Sequence, residues 1–281
     1  MEYLYHYTSM ETLALILSNK TICFNNLLNV DDIEEAETMD MGKFGKYLYV
    51  SCWTEDEEES IPLWNLYTPD MHGIRIKMPK FPFKRYHYNK GDYYLNDDVD
   101  TYINIEEIYN DNKVSIVASQ PQLVEVEYTN DRNKLFPKIK NESIDGAVEI
   151  FLAARDLKDL EDIPDGVLKF DYDVTNIGKY KRLNWSFQKE WRYMISILPI
   201  GMQESNPPSL EIQQDILKKL EDETTEVPYE RLFLDLDENV FDDMEILFGP
   251  KMTESEKVLV KSLIEKYCPK CIYRESSLRI R

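Results

Sequence analysis

The sequence has 281 residues, of which 43% are hydrophobic and 31% are charged, so it is long and apolar enough to bury a full core. Asp and Glu number 53 against 33 Lys and Arg, which gives a formal net charge of -20. That charge disfavours nucleic acid as a partner, because an acidic surface repels the phosphate backbone unless the basic residues gather on one face.

We expect neither a secretory signal nor a membrane span in this sequence. Its beginning has no basic stretch followed by an apolar run, and no segment approaches about eighteen consecutive apolar residues. We therefore predict a cytoplasmic protein without a membrane partner.

The four cysteines are too few and too scattered for a disulfide framework, so reduced thiols are expected. Cys268 and Cys271, in "CPKC", supply two of the four ligands that a structural zinc site needs, and we predict no metal. The nine glycines match neither a P-loop nor a dinucleotide-fold fingerprint.

The first predicted elements are a strand and a helix. Residues 3–7 alternate as a strand does, with Leu4 and His6 on one face. Thr8 and Glu11 then form a T-x-x-E capping box ahead of apolar residues at helical spacing. The opening is predicted as strand, cap and helix.

Strand-like and helix-like segments continue without a regular alternation. Predicted strands lie at 21–24, 46–53, 73–78, 123–128, 190–198, 230–236 and 244–249, the last two buried, and predicted helices at 61–67, 147–157 and 254–267. This order predicts an α+β fold with mixed, mostly antiparallel sheets and flanking helices in a single domain, 1–281. We expect a loop or insertion at 79–112, a helical segment near 141–160, and solvated acidic runs at 31–37 and 55–59.

Several segments in a fixed order resemble a large bacterial family known as domain of unknown function 2971. They are "YHYTS" (5–9), "YVSCW" (49–53), "LWNLY" (63–67), "GIRI" (73–76), "WSFQKEWR" (185–192) and "ILFGPK" (246–251), and together they span nearly the whole chain. One position departs from the family pattern W-x-x-E-x-E-x-R, because Gln188 replaces its first glutamate.

The same constellation resembles the ADP-ribosyltransferase plan, a split β core with a helical insertion. In that plan a histidine or arginine on an early strand, a Ser/Thr/Tyr element and a late Gln/Glu-x-Glu meet around NAD. In the branch with the histidine, aromatic residues on a helix after the middle strand sandwich the nicotinamide. The resemblance implies NAD as substrate, with the macromolecular acceptor unknown. Residues implied to bind it are His6, Tyr7, Thr8, Ser51, Trp53, Trp64, Tyr67 and Arg192, and those implied in catalysis are Glu190 and Gln188.

The implied chemistry suits these residue types. Cleavage of the nicotinamide–ribose bond passes through an oxocarbenium-like state that a carboxylate such as Glu190 stabilises. A neutral His6 would hold the ribose and diphosphate side, and Gln188, two residues from Glu190 on the same strand face, would orient the acceptor. The expected activity is ADP-ribosyl transfer or NAD hydrolysis, in a bacterial toxin or antiphage defence protein.

Each of these residues also has a structural interpretation, and a second function class stays open. His6 is equally compatible with a hydrogen-bonded core position, and the tryptophans with ordinary core packing. Glu190 and Arg192 could form a structural ion pair with Lys181 or Lys189. The alternative function is a non-catalytic nucleotide-sensing or protein-interaction domain on the same fold.

Overall fold

The computed structural model describes residues 2–108, 115–116, 120–140, 173–199, 218–220, 222, 224–227 and 229–280. The helices are α1 (Met10–Asn19), α2 (Ile61–Tyr67), α3 (Ile105–Ile108), α4 (Arg132–Leu135) and α5 (Glu254–Tyr267). The strands are β1 (Tyr3–Thr8), β2 (Thr21–Asn26), β3 (Leu48–Thr54), β4 (Ile74–Pro79), β5 (Tyr86–Tyr88), β6 (Val99–Thr101), β7 (Ser115–Ile116), β8 (Gln122–Glu125), β9 (Glu127–Thr129), β10 (Tyr180–Arg182), β11 (Glu190–Leu198), β12 (Arg231–Asp235), β13 (Glu245–Phe248) and β14 (Ile272–Glu275).

A mostly antiparallel sheet organises the described residues. Its strands follow the order β12, β2, β3, β1, β4, β13, β14, and β11 also pairs with β3 while extending to β7 and β8. Helices α1 and α5 contribute apolar side chains to the main core beneath one face, and α2 packs a smaller cluster onto the other. The predicted α+β class with a mostly antiparallel sheet and flanking helices is confirmed.

The sheet is split beside β3. One edge of β3 pairs with β11 from Leu48 to Thr54. On its other edge, Val50 pairs with β2, whereas Thr54 pairs with Tyr5 of β1. Strands β1 and β2 therefore diverge around the middle of β3, and this gap positions the site described below.

Three sequence predictions are corrected in detail. The side chain that caps α1 is Ser9, which accepts from the backbone N–H of Thr12 at 3.2 Å, because Thr8 is buried in β1 opposite Ile74. The predicted strand 123–128 is two strands, because β8 pairs with β11 whereas β9 pairs with β10.

The third correction concerns the buried strand predicted at 230–236. Strand β12 is half-exposed, because Arg231 and Phe233 face outward while the leucines between and after them face the core.

The described part of the predicted loop or insertion at 79–112, residues 79–108, has regular structure of its own. Strands β5 and β6 form a separate two-stranded antiparallel sheet, and α3 follows them, so a loop alone does not describe it. The helix predicted at 147–157, with the helical segment near 141–160, lies outside the described residues.

Gly249 lets two turns approach closely at the end of β13. Its N–H donates to the carbonyl oxygen of Gly73 at 2.8 Å, and a Cβ here would lie 2.4 Å from the carbonyl oxygen of Met71. We expect Gly249→Ala to lower the free energy of unfolding by about 1–3 kcal/mol through backbone displacement, measured by urea denaturation. Ser262→Ala, exposed on α5, is the control, and equal stabilities of the two variants would contradict the steric account.

Candidate functional site

A cleft of about 610 Å³ opens where β1 and β2 diverge, and we call it the split-sheet cleft. The cleft is lined by residues that are far apart in the sequence. They belong to β1, α1, β2, the loop at 29–31, β3, α2, the turn before β11, and β12. Eight of the predicted site residues are in its lining: His6, Tyr7, Thr8, Ser51, Trp53, Tyr67, Gln188 and Glu190.

Two predicted site residues lie outside this lining. Trp64 is fully buried against Tyr7, with ring centroids 4.8 Å apart, and its indole N–H donates to Glu59 at 3.2 Å. Trp64 occupies the inner face of α2, whereas Tyr67 reaches the cleft. Arg192 is 0% exposed and lies beneath the cleft floor, in contact with Glu190.

His6 closes part of the gap in the sheet. Its Nδ1 lies 2.8 Å from the carbonyl oxygen of Cys52, so a protonated Nδ1 donates to β3 between the positions that pair with β2 and β1. Its ring packs 5.0 Å from Trp53, whose indole N–H donates to Ser51 at 3.1 Å. Burial lowers the pKa of His6 below its usual 6.5, which keeps the imidazole neutral at pH 7.

His6 and Glu190 start from opposite faces of the sheet. Glu190 is paired with Thr54, and alternation puts Cys52 and Thr54 on one face of β3 and Ser51 and Trp53 on the other. His6 packs on the Trp53 side. Both residues reach the same cleft only because it passes through the gap between β1 and β2.

Glu190 belongs to a buried cluster of four charges. Its Oε2 accepts from Lys181 at 2.7 Å, and its Oε1 accepts from Nε and Nη2 of Arg192 at 2.9 and 2.5 Å. Glu35 completes the cluster, 3.1 Å from Lys181 and 2.5 Å from Arg192. We call Glu35, Lys181, Glu190 and Arg192 the charge cluster, and its two carboxylates balance its two cations.

Glu35 corrects the expectation that the acidic run 31–37 is solvated. The residue is 5% exposed, and its carboxylate forms ion pairs with Lys181 and Arg192, which lie far along the chain from it. Nothing in the run distinguishes Glu35 from the exposed Asp31 or the half-buried Glu34, since its role depends on partners remote in sequence.

The pKa values of the two carboxylates in the charge cluster are shifted in opposite directions. Burial opposes ionisation of Glu190, but Arg192 and Lys181 outweigh it and lower the pKa of Glu190 to about 2. Burial dominates at Glu35 and raises its pKa above the usual 4.5. At pH 7 Glu190 is ionised.

Most of the acceptor capacity of Glu190 is used within the protein. Arg192 donates twice to Oε1, and Lys181 donates to Oε2. A carboxylate offers about four lone-pair sites, so a ribose hydroxyl would have to share Oε2 with Lys181 or displace one of these donors. Of the two lysines considered for a structural ion pair, Lys181 makes it, while Lys189 pairs with Asp56 at 2.6 Å.

Gln188 reaches the cleft by a route other than the predicted strand face. It ends a 3₁₀ turn, Leu183–Gln188, and Lys189 then takes a left-handed conformation with φ 43° before β11 begins. Its side chain accepts from Lys181 at 2.9 Å and donates to the hydroxyl of Tyr67 at 2.6 Å. Gln188 thereby joins the charge cluster to α2.

Comparison of the chain with protein-family models, with curated proteins and with solved structures finds no match in any of the three. The resemblances given above therefore stay predictions. In the part of the chain that the structure describes, no helix is both long enough and apolar enough to cross a bilayer. Within those same residues, no three His, Cys, Asp or Glu side chains are grouped as a metal ion would require.

Proposed function

We propose that the split-sheet cleft binds a nucleotide of the NAD type and that the charge cluster forms its floor. The observation that carries this proposal is the convergence of eight predicted residues, drawn from positions 6 to 190, on one cleft. The cleft volume of about 610 Å³ falls in the usual range for small-molecule sites.

The lining suits a ligand with both aromatic and polar parts. Trp53 and Tyr67 offer aromatic surface, and Ser51, Thr8 and Asn25 offer hydrogen-bonding groups. His6 stays neutral and so adds no charge beside a diphosphate. This combination supports a nucleoside-containing ligand over a purely apolar one.

The state of Glu190 supports binding without turnover. The oxocarbenium mechanism needs a carboxylate that can accept from the ribose, and Arg192 and Lys181 already donate three hydrogen bonds to the two oxygens of Glu190. We therefore assign the chain to the nucleotide-sensing class, in which Glu190 positions the cleft floor.

NAD consumption is the second candidate, favoured by one specific observation. Glu190 lines the cleft beside Gln188 and is ionised at neutral pH, as the transferase plan requires. Turnover would follow if NAD binding drew Lys181 away from Glu190 and freed one carboxylate oxygen. A chain with that activity would fit a toxin or antiphage defence role and would harm its expression host.

The proposal is tested by blocking the cleft. Asn25 is exposed in β2 and lines the cleft, so Asn25→Trp should fill it without disturbing the core. We expect the wild-type protein to bind NAD in isothermal titration calorimetry, and Asn25→Trp to bind it at least about tenfold more weakly.

Glu127→Trp, at an exposed position of β9 outside the cleft lining, is the control and should bind NAD as the wild type does. Chromatography of the same samples for free nicotinamide separates the two candidates, since a sensor releases none and an enzyme releases it steadily. Absence of NAD binding by the folded wild-type protein would refute the proposal.

A further inference from the structure

We propose that Arg231 and Phe233 of β12 form the nucleotide-recognition wall of the split-sheet cleft. Arg231 would bind a phosphate, and Phe233 would stack on a base. The inference rests on the proposed function and assigns the residues that would recognise the phosphate and the base of that nucleotide.

Register places both side chains on the cleft side of β12. Arg231 pairs with Asn25, and Phe233 with Cys23, and all four residues line the cleft. Directly paired residues of antiparallel strands project from the same face. Asn25 is in turn paired with Val50 of β3, which puts the wall on the same face of the sheet as Cys52, Thr54 and Glu190.

Phe233 occupies a position where strand alternation calls for a polar residue. Leu232 and Leu234 fill the core side of β12, whereas Phe233 is 52% exposed. A lone exposed aromatic residue is common on protein surfaces, but this one borders a cleft with a flat ring available to a base. Base stacking on an aromatic side chain is a recurrent means of nucleotide recognition.

Arg231 is the cleft cation that the charge cluster does not neutralise. The other lining cation, Lys181, is engaged by Glu35 and Glu190. Among the described residues, Arg231 forms no ion pair with a carboxylate, although the chain carries 53 acidic residues. A guanidinium left free at the edge of a cleft in an acidic protein is suited to bidentate phosphate binding.

The spacing of the two residues fits one nucleotide. Positions two apart on a strand are separated by about 7 Å, which leaves room for a ribose between a phosphate on Arg231 and a base on Phe233. Arg231 and Phe233 are both exposed among the described residues, so a ligand can reach them from solvent. A ligand can therefore extend from this wall toward His6 in the gap.

Binding of NAD and of nicotinamide riboside, which lacks phosphate, tests the assignment. We expect Arg231→Met to weaken NAD binding about tenfold or more and to leave nicotinamide riboside binding unchanged, because only a charge-assisted phosphate contact is lost. Phe233→Thr should weaken the binding of NAD without unfolding the strand, because threonine also favours strands.

The controls lie on β14, at the opposite end of the sheet order. Arg274→Met and Tyr273→Thr repeat the two changes at exposed positions away from the cleft and should leave NAD affinity unchanged. If the wild type binds NAD and Arg231→Met binds it equally well, the inference is overturned while the proposed function stands. If the wild type binds no NAD, the proposed function fails and the inference falls with it.

Discussion

Replacing Arg192 with methionine should lower the free energy of unfolding by about 3–5 kcal/mol. Arg192 is 0% exposed and donates to Glu190, to Glu35 and to the carbonyl oxygen of Gly178. Methionine preserves much of the side-chain volume but leaves two buried carboxylates with Lys181 as their one cation. The midpoint of guanidinium chloride unfolding measures the loss.

Arg182→Met is the matched control for this change. Arg182 pairs with Glu34 at the surface, where an ion pair contributes about 0–1 kcal/mol. Similar losses for the two variants would mean that burial of the charge cluster is not what makes Arg192 important.

Glu190→Gln should produce the second largest effect, a loss of about 3 kcal/mol at pH 7. A pKa held at about 2 instead of 4.5 means that folding favours the ionised carboxylate, and the glutamine removes that preference. Calorimetric melting of the wild type and the variant between pH 2 and pH 7 gives the difference.

The sign of the pH dependence follows from the lowered pKa. The contribution of Glu190 is fully present above the unfolded value of 4.5 and is lost as pH falls toward about 2. The raised pKa of Glu35 acts in the opposite direction, so the wild-type decline is steepest below pH 4.5. The two melting curves should converge as pH approaches 2.

Glu238→Gln, which removes an exposed partner of Lys20, is the control and should melt as the wild type does at pH 7. A Glu190→Gln protein that is as stable as wild type but releases no nicotinamide where the wild type does would favour the catalytic role of Glu190 over the structural one.

The sequence predicts local elements of this fold well because their patterns are short-range. Alternation in residues 3–7 and the apolar spacing of 254–267 correspond to β1 and α5. The N-cap of α1 is Ser9 and not the predicted Thr8. Thr8 pairs with β4 instead, and this long-range contact cannot be seen in a local motif.

The candidate site is only partly visible in the sequence. His6, Ser51 and the Gln188-x-Glu190 pattern could be singled out, but whether they meet depends on the gap between β1 and β2, which strand pairing decides. Glu35 could not be found, because its partners lie far along the chain. Arg231 and Phe233 did leave a signal, since they alternate with leucines in "RLFLD".

A crystal structure of the wild-type protein soaked with NAD tests the central claim most directly. We predict ligand density in the split-sheet cleft, between His6 and the nucleotide-recognition wall of Arg231 and Phe233. Glu190 should still be bound to Lys181 and Arg192. Density elsewhere on the protein, or a Glu190 carboxylate turned from Lys181 onto the ribose, would contradict the account.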